Sequence, residues 1–118
     1  MTSVFVKRVY EKPEKKDGFR ILVDHLWPRG LTKEAVHADV WIKETAPSTS
    51  LRKWFNHEPG KWAAFKKLYT AELKKSTAVT GLIEYCKKNK TVTLLYAAKD
   101  EEHNHALVLQ QFLSRLLK

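Results

Sequence analysis

Two short segments of the chain carry most of the side chains that can bind an anion or transfer a proton. They are residues 24–30, Asp-His-Leu-Trp-Pro-Arg-Gly, and residues 99–105, Lys-Asp-Glu-Glu-His-Asn-His. Imidazole titrates near neutral pH, so His25 and His105 are candidates for a general acid or base, and the carboxylate of Asp24 is a third. A guanidinium or an ammonium group suits phosphate or carboxylate. We therefore expect Arg29 and Lys99 to hold an anion beside groups that can exchange a proton.

Arg29 is the most suggestive residue of the first segment. Pro28 restricts the backbone before it and Gly30 frees the backbone after it, so the guanidinium should be held out from a turn. Two interpretations stay open. Arg29 either binds an anionic ligand, or it stabilises the loop by clamping carbonyl groups or pairing with Asp24. Asp24 has similar alternatives, because a carboxylate at a strand end can also accept hydrogen bonds from loop amides.

Four more side chains complete the predicted binding site. They are Trp27, Trp54, Asp100 and Asn104. The last two lie where a helix should begin, and helix amino termini attract anions. Residues 46–59 form either a lid over the site or a long loop in which Trp54 and Phe55 fill core space. No histidine or cysteine spacing is typical of a metal site, so we predict neither a metal nor a cofactor.

Both segments follow apolar runs that are typical of buried strands, residues 19–24 and 91–98. Weaker strand patterns cover residues 4–9 and 40–43. Helical patterns lie between and after the strands, with apolar residues three or four positions apart. These positions are Trp62, Phe65, Tyr69 and Leu73, then Val79, Leu82, Ile83 and Cys86, and finally Ala106, Leu109, Leu113 and Leu116.

Strands that alternate with helices predict an α/β fold, a single compact domain over residues 1–118 with a small, mainly parallel sheet flanked by helices. In an open parallel sheet, ligands bind outside the carboxyl ends of the strands. Both chemically rich segments lie directly after a predicted strand. The pattern therefore predicts one crevice to which both segments contribute.

The composition limits the class of protein. The chain has 118 residues, of which 43% are hydrophobic, and this is too rich for a disordered basic tail. Its one cysteine, Cys86, cannot form an intrachain disulfide and should be a buried small hydrophobe. The first residues are too polar for a signal peptide, and no run approaches the roughly 20 apolar residues of a membrane span. We expect a cytoplasmic protein without a membrane partner, and the sequence leaves its oligomeric state open.

The formal charge of +9 makes anionic partners attractive. Most of the basic residues are lysines, which commonly form a solvated surface, whereas bidentate recognition of phosphates or bases favours arginine. The leading hypothesis is a crevice that binds an anionic small molecule and, in its stronger form, hydrolyses or transforms it. The alternative is a nucleic-acid-binding module that uses the lysine-rich faces.

Several longer runs form specific motifs along nearly the whole chain. They are Lys7-Arg8-Val9-Tyr10, residues 17–30, Ala46-Pro47-Ser48, Leu51-Arg52-Lys53-Trp54-Phe55, residues 93–100 and Asn104-His105-Ala106. In these runs the chain closely resembles the YeaO-like branch of the domain-of-unknown-function family 488. The resemblance implies no particular activity. The family motifs fall on the two segments chosen from strand ends and on Trp54 and Phe55.

Other branches of that family carry a Cys-Ala-Glu motif followed by Cys-His-Arg. The corresponding positions here are Tyr96-Ala97-Ala98 and Asn104-His105-Ala106, so only an alanine and the histidine are kept. The resemblance therefore implies no thiol chemistry for this chain. It favours His105 for any role that the branches share.

Overall fold

A computed structural model describes residues 2–117. Its sheet has four strands in the order β1-β4-β2-β3, and each neighbouring pair is parallel. The strands are β1 (Ser3–Arg8), β2 (Phe19–Leu22), β3 (Val40–Trp41) and β4 (Thr91–Tyr96). The helices are α1 (Lys33–Val36), α2 (Thr49–Phe55), α3 (Trp62–Lys75), α4 (Ala78–Lys88) and α5 (His105–Leu116). The predicted α/β class with a parallel sheet is confirmed.

The two faces of the sheet are covered unequally. On one face, Val4, Ile21, Val92 and Leu94 contribute to a large core that also takes in the apolar sides of α2, α3, α4 and α5. On the other face, a small cluster forms around Leu95, with Val9, Leu22 and Val36. Four helices thus cover one side of the sheet, and the short helix α1 and loops cover the other.

Most of the apolar positions predicted for the helices are buried, but Leu116 at the end of α5 is exposed. Phe65, Tyr69 and Leu73 of α3 are almost completely buried, and Trp62 packs against the same core. Cys86 has no exposed surface, and burial raises the pKa of its thiol to about 11. It is therefore a core residue held as the neutral thiol.

A close approach of two backbones places β2 beside β4. Gly18 has a φ of 66°, and a Cβ atom at this position would collide with the backbone carbonyl of Thr91. Beside it, the buried Arg20 pairs with Asp17 and donates hydrogen bonds to the carbonyl groups of Val36 and His37. This ionic cluster ties the start of β2 to the end of α1.

The chain between β3 and α3 is anchored by polar contacts. The hydroxyl of Tyr69 donates to the carbonyl of Thr45, and the carboxylate of Glu72 accepts hydrogen bonds from both the backbone and the side chain of Ser48. These bonds fix the start of α2. At its end, Phe55 is buried in the core, whereas Trp54 is 41% exposed. No helix among residues 2–117 is long and apolar enough to cross a lipid bilayer.

Candidate functional site

A crevice of about 650 Å³ lies at the carboxyl ends of β2 and β4. One wall is formed by residues 24–29, a second by residues 97–100 with His105, and a third by residues that surround α2. Tyr10, which follows β1, completes the rim. The two segments that the strand-end argument selected do therefore meet in one cavity.

Asp24 and His105 form a partly buried pair of titratable side chains in this crevice. Oδ2 of Asp24 accepts a hydrogen bond from the Ala97 amide at 2.9 Å. Nε2 of His105 lies 3.1 Å from the carbonyl oxygen of Val23, which fixes this nitrogen as the donor. The same nitrogen is 3.3 Å from Oδ1 of Asp24, but that oxygen is buried and receives no hydrogen bond. The two groups are in ion-pair contact without the alignment of a hydrogen bond.

Burial dominates the protonation of this pair. It raises the pKa of Asp24, although the charge of His105 and the amide of Ala97 act in the opposite direction. It lowers the pKa of His105, although Asp24 and the carbonyl of Val23 oppose that shift. Each group is therefore pushed toward its uncharged form. These opposite shifts move the pKa values of the carboxyl group and the imidazole toward each other, which suits two groups that exchange a proton.

The two predicted anion-binding cations are free at the mouth of the crevice. Among residues 2–117, no hydrogen bond or ion pair engages the side chain of Arg29 or Lys99, and both residues are exposed. The backbone carbonyl of Arg29 accepts a hydrogen bond from the Tyr10 hydroxyl at 2.9 Å, and Gly30 turns the chain with a φ of 81°. The loop is thus held by its backbone, and the guanidinium of Arg29 neither clamps a loop carbonyl nor pairs with Asp24.

Two further basic residues line the crevice, and the sequence reasoning did not single them out as anion-binding residues. Arg52 of α2 donates to the carbonyl of Pro47 and, at 3.0 Å, to the hydroxyl of Thr49. These bonds hold its guanidinium on the crevice wall. His57 follows α2 in a left-handed turn, with a φ of 55°. The only sequence signal for Arg52 was its place in the family-like run after Leu51.

Three other predicted residues also line the crevice. Asp100 accepts hydrogen bonds from the amides of Glu102 and His103, and these donors hold the pKa of its carboxyl below the usual value. The indole of Trp27 donates to the carbonyl of Leu31 at 2.7 Å, which fixes its ring in the wall. His25 also lines the crevice, on its exposed side.

Asn104 and Trp54 lie apart from the crevice walls. The buried side chain of Asn104 caps α5, accepting from the Leu107 amide and donating to the carbonyl of Asp100. The ring of Trp54 faces outward, with Nζ of Lys61 5.0 Å from its centre. Neither residue lines the crevice, so a direct contact with a ligand there depends on the other predicted side chains.

A smaller recess of about 90 Å³ lies beside the crevice. The two cavities share Pro47, Arg52, His57, Ala98 and His105. The recess continues between Phe55, Phe65, His103 and Asn104. No group of three or more histidine, cysteine, aspartate or glutamate side chains that could hold a metal ion occurs within the described part of the chain.

Comparison with known proteins relates the chain to several bacterial relatives. The model of the family DUF488-N3i, described as "Inactive DUF488-N3 subclade", matches residues 3–118. "Uncharacterized protein YeaO" of Escherichia coli is 46% identical over 114 residues, 97% of this chain and 99% of the relative. "Uncharacterized protein Mb3100c" of Mycobacterium bovis and "Uncharacterized protein Rv3073c" of Mycobacterium tuberculosis are each 38% identical over 113 residues, 96% of this chain and 95% of each relative. No solved structure matches the chain significantly.

Proposed function

We propose that this chain, which belongs to the family DUF488-N3i, the inactive DUF488-N3 subclade, binds an anionic small molecule in the crevice. Membership confirms the resemblance expected from the sequence, and the word "inactive" favours binding over turnover. We place this role in the cytoplasm, since the one cysteine is a buried thiol.

The balance of charge in the crevice is the observation that supports an anion. Arg29, Arg52 and Lys99 bring three positive charges to its walls. Two carboxylates oppose them, but burial raises the pKa of Asp24, and Asp100 is already occupied by two amides and by His103. A phosphate or carboxylate group would therefore find uncommitted donors from two separate walls.

The size of the crevice indicates an organic anion. A volume of about 650 Å³ falls within the range of roughly 300 to 1,000 Å³ that is typical of small-molecule sites. Trp27 and Pro28 supply apolar surface beside the cations. Asp24 and His105 lie deeper and would exchange a proton with the ligand, with His25 as a further donor at the exposed side.

Thermal unfolding with added phosphate tests the proposal through Arg29→Ala. Phosphate at 100 times its Kd should stabilise the wild-type protein by about 2.7 kcal/mol. The variant should fold normally, because the exposed guanidinium of Arg29 makes no hydrogen bond or ion pair with other described residues, but the shift in Tm should be lost. Lys87→Ala on α4 is the matched control, since it removes one exposed positive charge far from the crevice walls. An equal phosphate response in all three proteins would overturn the proposal.

A second candidate function is binding of nucleic acid, and a groove between α3 and α5 favours it. The groove has a volume of about 480 Å³ and is lined by Lys66, Lys67, Lys74 and Arg115 without a carboxylate. The acidic residue of α3, Glu72, is directed to Ser48 instead. Such an array could hold the phosphates of a single strand.

A further inference from the structure

We propose that the recess beside the crevice binds a small apolar group of the ligand, so that the site selects an organic anion with a branched aliphatic end of three or four carbon atoms. This inference rests on the proposed function, because it needs the anionic end of the same ligand to be held in the crevice. It adds a chemical class, a short branched aliphatic group, for the end of the ligand that enters the recess.

The surface of the recess is mainly carbon. Phe55 and Phe65 stack with their ring centres 4.2 Å apart, and both line it together with Pro47 and Ala98. Phe55 and Phe65 belong to the core, and Ala98 packs against it. Pro47 is buried, and its carbonyl accepts a hydrogen bond from Arg52. The walls are therefore preformed and do not need to be ordered by a ligand.

Several polar atoms of the recess are already engaged within the protein. Both polar atoms of Asn104 are engaged within the turn and the helix cap. Nδ1 of His103 contacts Asp100 at 2.9 Å, and Nε2 of His105 donates to Val23. Arg52 and His57 also line the recess, but both are shared with the crevice. An apolar group that packs against the two phenylalanine rings would gain the free energy of burial.

The volume sets the size of that group. An engineered apolar cavity of about 150 Å³ holds benzene, which has six carbon atoms. At about 90 Å³, the recess is smaller by two fifths and fits three or four carbon atoms. An isopropyl group fits this space, whereas a phenyl ring does not.

Arg52 connects the two parts of the ligand. It lines both the crevice and the recess, as does His57. A carboxylate next to the guanidinium of Arg52 would place its own aliphatic chain at the opening of the recess. The geometry thus suits a short branched-chain carboxylate better than a bare inorganic anion.

Titration of isotope-labelled protein with acetate, isovalerate and phenylacetate, followed by NMR, tests this inference. Each buried methylene is worth about 0.8 kcal/mol, or about fourfold in affinity. Isovalerate has three more carbon atoms than acetate and should bind about 60-fold more tightly. Phenylacetate should gain less than isovalerate, although it is more apolar, because its ring exceeds the recess.

Phe65 lines the recess but not the crevice, so a substitution there separates the two cavities. Phe65→Leu should enlarge the recess and raise the affinity for phenylacetate relative to isovalerate, whereas Phe112→Leu, which makes the same change outside both cavities, should not. Phosphate affinity should be unchanged in both. If phosphate binds but isovalerate gains nothing over acetate, or if Phe65→Leu leaves the relative affinities of isovalerate and phenylacetate unchanged, the inference is overturned while the proposed function stands. If phosphate itself does not bind, the proposed function fails, and this inference with it.

Discussion

At the scale of single residues, the partly buried side chain of His105 makes the stability of the protein depend on pH. Its pKa is lowered from the ordinary value of 6.5, chiefly because burial disfavours the imidazolium form. In the unfolded chain, the same side chain takes up a proton near pH 6.5. The folded protein resists this protonation, so His105 contributes stability above that pH and loses it as the pH falls.

We expect wild-type protein to lose stability relative to His105→Gln as the pH falls from about 7.5 to about 5.5. The amide of glutamine can donate to the carbonyl of Val23 but does not titrate. Urea unfolding at several pH values measures the difference in the free energy of unfolding between wild type and His105→Gln. The negative charge of Asp24 opposes the shift in His105, so Asp24→Asn should make the pH dependence steeper. A difference between wild type and His105→Gln that is constant over this range would contradict the assignment.

Part of this site could be predicted from the sequence, because several residues that can bind an anion or transfer a proton lie directly after predicted strands. Asp24, Arg29, Lys99 and His105 all lie just after a buried strand, where a parallel sheet gathers its loops. Arg52 could not be found in the same way, because it follows no strand. Its guanidinium reaches the crevice only because α2 is held by Glu72 and by its own bond to Pro47. Such contacts depend on packing between elements distant in sequence.

At the scale of elements, α5 determines how the second wall of the crevice is built. Its first turn carries His105, and the cap that fixes this turn is Asn104. The side chain of Asn104 accepts from the amide of Leu107 at 3.1 Å and donates to the carbonyl of Asp100 at 3.0 Å. The cap therefore joins the helix to the loop that carries Lys99.

Asn104→Ala should destabilise the protein by about 1 to 2 kcal/mol, since the Leu107 amide loses its cap. Asn104→Ser should keep much of this stability, because a serine hydroxyl can accept the same hydrogen bond. Urea unfolding measures both variants, and the pH dependence assigned to His105 should weaken in Asn104→Ala if the first turn frays. Equal losses of stability in the two variants would show that capping is not the reason for the effect.

The regular elements were predictable because their apolar spacing is strong. The buried residues of α3, α4 and α5 occur where the helical period places them, and the apolar runs became β2 and β4. The pattern over residues 40–43 predicted a strand of four residues. β3 has two, because a tight turn begins at Lys43. Strand order was not predictable, since it depends on long-range pairs such as Val4 with Val92.

At the scale of the whole molecule, the formal charge is +9, and the basic residues lie on surfaces with different properties. The crevice places three cations around a cavity with a buried carboxyl and imidazole pair. The groove between α3 and α5 places four cations along two helices. Helix dipoles account for Lys74 and Arg115, which lie in last turns, but not for Lys66 and Lys67 in the middle of α3.

Binding of a labelled single-stranded oligonucleotide should distinguish a dedicated groove from general attraction. If four phosphates are contacted, the logarithm of the affinity should fall with that of the salt concentration with a slope of about −2.8, or about 50-fold between 50 and 200 mM salt. Replacing Lys66, Lys67 and Lys74 by glutamine should reduce the slope to about −0.7. The phosphate response that depends on Arg29 should remain, because none of these lysines lines the crevice.

The matched control removes the same number of charges elsewhere, by replacing Lys87, Lys88 and Lys90 with glutamine. These exposed lysines lie at and just after the end of α4, outside the groove. If both triple variants lose affinity equally, net charge alone attracts the nucleic acid, and the groove has no dedicated role. No binding at low salt would eliminate the second candidate function altogether. Loss confined to the α3 variant would give this small protein two separate anion sites, one for a small molecule and one for a polymer.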